Sequence, residues 1–142
     1  MTEDMSSIIE DELPHEIMER LLSISKAPFA IANGVEPLSI KRDEVRLRMP
    51  MKDKQNSLNV GHGAATFLLA DHTLAYASNM GPEVQVAICC HISYLRPVRG
   101  DVLTSLSRCV HDGRSSSLYE VQIFDGDELV AVMQGTGHKL KG

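Results

Sequence analysis

Two features of the sequence could do chemistry together. The turn Gly61-His62-Gly63 leads into a run from Ala64 to Asn79 made of strong helix formers, with no Gly or Pro until Gly81 and Pro82 end it. The start of a helix leaves backbone N–H groups unpaired, and flanking glycines let a ligand reach them. Such donors hold a carbonyl oxygen and favour the negative charge that develops on it. The second feature is Asp71, nine residues after His62. A carboxylate in an apolar helix is costly unless it is paired or placed where it works. It can activate water as a general base or attack directly. An oxyanion donor and a carboxylate together suit acyl transfer to water.

Spacing limits how they can combine. Gly63 and Asp71 are eight residues apart on one helix, about 12 Å along its axis at ~1.5 Å per residue. They cannot serve the same carbonyl within one chain. Two copies related by a two-fold axis, with antiparallel helices, would set Gly63 of one opposite Asp71 of the other. A working site therefore requires a dimer.

The remaining elements must position this helix. Met1 to Ile9 reads as a loose tail. Leu13-Pro14-His15-Glu16 opens a first helix, with Ile17, Leu21 and Ile24 on one face, running to Lys26-Ala27-Pro28. Val35 to Ile40 and Val45 to Met49 read as strands joined through Lys41-Arg42-Asp43-Glu44 into a hairpin. Pro50 to Val60 is a polar loop. The helix from Ala64 is apolar on nearly every side, which predicts burial. Four strands follow, at Val84 to Leu95, Val102 to His111, Ser116 to Phe124 and Leu129 to Lys139. Asp112-Gly113 and Asp125-Gly126 mark hairpins, so the last three form an antiparallel meander. A helix apolar all round needs a wrapping, and a sheet curled around it supplies one. Neither repeats nor low-complexity segments occur.

Bulk properties narrow the function. The 142 residues suit a single domain spanning 1–142. A net charge of −5 argues against nucleic-acid binding and against a basic membrane-surface protein. No apolar segment suggests a secretion signal or a membrane span. Three cysteines, two of them neighbours, suggest a reducing cytoplasm without disulfides, and Cys89, Cys90 and Cys109 read as small core residues. No spacing suggests a metal site.

The run Asn56 … His62-Gly63-Ala64 … Leu69-Ala70-Asp71, followed by Tyr76-Ala77-Ser78-Asn79, resembles the hotdog-fold acyl-CoA thioesterases, above all the phenylacetic-acid-degradation group. That family carries an Asn, then His-Gly-Gly six residues on, then Leu-Ala-Asp ending nine residues after the His. Ile92-Ser93-Tyr94-Leu95-Arg96-Pro97 matches its strand after the helix, and the resemblance covers roughly Pro14 to Lys139. It implies an α+β hotdog fold, a curved antiparallel sheet wrapped around a long central helix. It implies Asp71 as general base or nucleophile and the Gly63 amide as the group that polarises the thioester carbonyl. Asn56 would place the attacking water or the partner's carboxylate. His62 would shape the turn and touch substrate, with Ala64 beside it still offering an N–H. The substrate would be an acyl-CoA, with no metal or organic cofactor, in a homodimer and commonly a homotetramer of two dimers. Ala64 replaces the family's second Gly. Ala75 and Ala87 lack hydroxyls that some relatives carry.

Structural roles compete for the same residues. Asp71 could be a buried carboxylate held by His72 or Tyr76, Asn56 a turn former, His62 a backbone cap, and Tyr94 a core residue. A non-catalytic acyl-CoA binding or sensor module would keep the pocket without needing Asp71. A hotdog dehydratase would need a His–acid arrangement that the sequence lacks.

Overall fold

The computed structural model describes residues 5–10 and 12–141. The elements are α1 (His15–Ser25), α2 (Pro28–Ala32), β1 (Glu36–Lys41), β2 (Glu44–Pro50), α3 (Gly63–Ser78), β3 (Val84–Tyr94), β4 (Val102–Asp112), β5 (Ser116–Asp125) and β6 (Glu128–Leu140). The six strands form one antiparallel sheet in the order β1-β2-β4-β5-β6-β3, with α3 packed against it. This is the expected α+β arrangement of a curved sheet around one central helix. The meander β4-β5-β6 and the β1–β2 hairpin lie where the turn residues put them.

The place of β3 was not legible in the sequence. The tight turn after α3 sends β3 back along the helix to pair with β6 at the far edge. Asn79 fixes that reversal: its Oδ1 accepts the Gln85 N–H at 2.9 Å, and its Nδ2 donates to the Gln85 carbonyl at 3.2 Å. At the other end, Tyr94 reaches Gly63. Thus α3 runs antiparallel to β3, and the outer edge of β3 pairs with no strand among the described residues.

Alternation builds the core. Val45, Leu47 and Met49 of β2 are buried, while Arg46 and Arg48 point outward. Above the short β2–β4 ladder, the Val45 and Leu47 N–H groups donate to Ser107 and Ser105 Oγ at 3.0 and 3.1 Å. Ser105 also meets Thr73 Oγ1 of α3 at 2.7 Å. These buried hydroxyls satisfy backbone donors where the strands part, and they tie the helix to the sheet. Arg20 of α1 donates to the Asn79 and Gly81 carbonyls at 3.1 and 2.8 Å, placing a cation at the negative end of α3.

Three expectations need correction. Residues 1–4 lie outside the described residues, but the segment from Met5 to Ile9 is not loose. Met5 and Ile9 are buried, and Ile9 bridges Ile40, covering the edge of β1. The short helix α2 was missed because Lys26-Ala27-Pro28 read as an ending; Pro28 instead occupies its first turn. Finally, α3 is not buried all round. Ala64, Phe67, Leu68, Asp71 and Ala75 form a stripe that stays wholly or partly open. At ~100° per residue they span about 100° of the helix surface, and no element among the described residues covers it.

Gly135 of β6 sets how closely α3 approaches. A Cβ there would sit 2.5 Å from Leu74 Cδ2. Gly135→Ala is expected to destabilise the fold by about 1–3 kcal/mol through overpacking, read as a lower urea midpoint with an unchanged slope.

Candidate active site

The loop from Met51 to His62 is built to deliver the helix start. The Met51 N–H donates to the Asp101 carbonyl, the Gly61 N–H to that of Val98, and the His62 N–H to that of Lys54, each at 2.8 Å. A Cβ on Gly61 would lie 2.7 Å from Val98 Cβ, so only glycine lets the loop lie flat there. Asn56 Oδ1 accepts the N–H groups of Leu58 and Val60 at 2.9 and 3.3 Å, which is the turn-forming role. Its side-chain NH2 has no acceptor among the described residues, and Asn56 lines a cleft next to Gly63.

His62 caps α3. Its Nδ1 accepts the Ala64 N–H at 3.0 Å. Ala64 is therefore not a free donor, contrary to the expectation for it; the cap consumes its N–H. The Gly63 N–H has no partner among the described residues. Beside it lies a cleft of about 350 Å³ lined by Asn56, Gly63, Thr66, Tyr94 and Val130, among others. Tyr94, expected from its sequence context to be core, is instead exposed on this cleft, because β3 ends at the open mouth of the wrap. Its Oη donates to the Gly63 carbonyl at 3.0 Å.

Asp71 lies on the open stripe and lines a second cleft of about 230 Å³, with Leu74, Ala75, Ser78, Val86 and Ala87. It makes no hydrogen bond or ion pair with any described residue. His72 and Tyr76 do not hold it: they are buried and pack edge to face, with ring centroids 5.1 Å apart. Burial lowers the His72 pKa, so that imidazole stays neutral at pH 7. The apolar flank of Asp71 strips water from one side of its carboxyl and raises its pKa above 3.8. The Cys90 thiol is raised too, first by burial and then by the charge of Asp71. Cys89 and Cys109 are exposed rather than core, and all three cysteines are free.

The structure thus brings Asn56, His62 and Gly63 together and sets Asp71 apart on the same helix. Among the described residues no group of three potential ligands could hold a metal, and no helix is long and apolar enough to cross a membrane.

Residues 58–132 match the Thioesterase superfamily, which is over half the chain. The chain belongs to that superfamily. It is 36% identical over 83 residues to the acyl-coenzyme A thioesterase PaaI of Escherichia coli K12, a match spanning 57% of this chain and 59% of that protein. The solved structure of the E. coli PaaI protein from the phenylacetic acid degradation operon superposes with a TM-score of 0.83 at 28% identity, covering 92% of this chain and 98% of that one. A conserved protein of Pseudomonas aeruginosa gives 0.76 at 31% identity, covering 80% and 94%. The architecture of this superfamily member is a PaaI-like hotdog fold.

The raised pKa of Asp71 has a consequence for stability. Folding disfavours the charged carboxylate, so stability falls as pH rises through the ordinary carboxylate range to the raised value. Asp71→Asn is expected to unfold at higher urea than the wild type at pH 7, with the gap closing below about pH 3.9. A less stable variant at pH 7 would contradict this.

Proposed function

We propose that the chain is an acyl-CoA thioesterase whose active site is completed by a second copy. One observation carries the reading. A free helix-start amide and an unpaired carboxylate stand on the same helix, in separate clefts, and neither has a partner among the described residues. The name of the E. coli relative supports the acyl-CoA substrate class.

The bare surfaces support the pairing. The free edge of β3 is long, and Val86 and Ile88 on it are 44% and 61% exposed, the kind of apolar edge that favours pairing with another strand. Antiparallel pairing of β3 with its copy about a two-fold axis extends the sheet. Because α3 runs antiparallel to its own β3, the two long helices then also lie antiparallel. Their open stripes cover each other, and Gly63 of one chain faces Asp71 of the other. The chemistry requires this dimer; a tetramer of two dimers is the further assembly expected.

In that site the thioester carbonyl oxygen accepts the Gly63 N–H. As the carbonyl carbon is attacked, charge builds on the oxygen and the positive end of α3 stabilises it. The partner's Asp71 takes a proton from water as general base, and the water oxygen bonds to the acyl carbon. The alternative is direct attack by the carboxylate to give a mixed anhydride that water then cleaves. The carbon–sulfur bond breaks and coenzyme A leaves as thiolate, which takes up the proton held by Asp71 or one from solvent; a thiolate is a far better leaving group than an alkoxide, so strong acid assistance is unnecessary. In this reading the side-chain NH2 of Asn56, on the cleft beside Gly63, holds the water or the incoming carboxylate. The scheme calls for no metal or organic cofactor.

Asp71→Asn is expected to lower kcat about 10³-fold with KM nearly unchanged and the dimer intact, followed as free thiol released from a panel of acyl-CoA thioesters. In the wild type, kcat/KM should rise with pH through the raised Asp71 pKa, since the base works ionised. Bound acyl-CoA that stays intact for hours in the wild type would favour the non-catalytic binding module instead.

A further inference from the structure

The geometry points to Tyr94 as a positioning residue for the Gly63 amide, acting with His62 as a two-sided clamp; the inference rests on the hydrolase reading above. Glycine is the residue least able to hold its own backbone direction. An oxyanion donor is useful only if its direction is set before the reaction. At Gly63 these two demands conflict unless something outside the residue fixes its torsions.

The structure supplies that restraint through the next peptide unit. The Gly63–Ala64 peptide has two polar ends. Its carbonyl accepts Tyr94 Oη at 3.0 Å, and its N–H donates to His62 Nδ1 at 3.0 Å. With both ends held, in addition to the helical hydrogen bonding that begins here, rotation about the Gly63 backbone is further restricted and the preceding N–H keeps one direction. The phenol ring adds a steric stop: a Cβ on Gly63 would sit 3.2 Å from Tyr94 Cζ, so the ring lies against the Gly63 Cα. Tyr94 itself is anchored. It pairs with Ala131 in the β3–β6 ladder, and the next residue, Leu95, donates its N–H to the Val130 carbonyl at 2.8 Å. The clamp thus joins the helix start to the rigid sheet.

The alternative is that Tyr94 merely braces β3 against α3. Tyr94→Phe separates the two, because it keeps the ring and removes only the hydroxyl. Turnover of acyl-CoA thioesters by the full chain would be measured together with the backbone amide NMR signals of Gly63 and Ala64. The clamp predicts a fall in kcat of about tenfold, similar at every pH, with KM, dimer mass and melting temperature unchanged. It also predicts that both amide signals shift and that the Gly63 proton exchanges faster. Unchanged kcat with unmoved amide signals would overturn it, as would a fall in kcat that merely tracks lost thermal stability. A wild type inactive on every thioester would remove the hydrolase reading, and the amide signals would still decide the clamp: shifted in Tyr94→Phe they support it, unmoved they overturn it.

Discussion

A rigid helix cannot bring its own residues closer together. Hydrogen bonding within α3 holds Gly63 and Asp71 about 12 Å apart along the axis, at ~1.5 Å per residue, whatever the loops around it do. Among the described residues neither group has a partner: the amide opens onto its cleft, and the carboxylate, with an apolar flank, loses part of its hydration. The proposed dimer gives each a counterpart, and one operation also covers the apolar stripe and the bare strand edge.

The rest of the fold keeps that helix straight and fixed at both ends. Arg20 and Asn79 secure its C-terminal end to α1 and β3, Thr73 and Ser105 pin its middle to β4, and His62 closes its start. Gly61 and Gly135 make room where loop and helix press closest to their neighbours. The open face of α3 carries none of these attachments. Stability is concentrated on the sheet side, leaving the other side free to meet a second surface.

Much of this was written in the residues. Alternation of Val45, Leu47 and Met49 with arginines, and Asp-Gly at two turns, are local signals of strands and hairpins. The Asn56, Gly63 and Asp71 spacing pointed to a chemistry. What failed depended on long-range geometry. An apolar face reads the same in sequence whether its own sheet covers it or not, so the open stripe of α3 looks like buried core. Tyr94 looks like core for a similar reason: only the curvature of the sheet places the end of β3 at the mouth of the cleft. Met5 and Ile9 carry no periodic pattern, yet the edge of β1 recruits them.

A mixed dimer tests the central claim most directly. One chain would carry Asp71→Ala and the other Gly63→Pro, which removes the amide hydrogen at the first helical position, where the backbone admits proline, and crowds Tyr94 within the same, already disabled site. Each variant alone would be inactive, whereas the purified heterodimer retains one native site of two and should recover about half of wild-type turnover. A heterodimer as inactive as either parent would contradict a site shared between two chains.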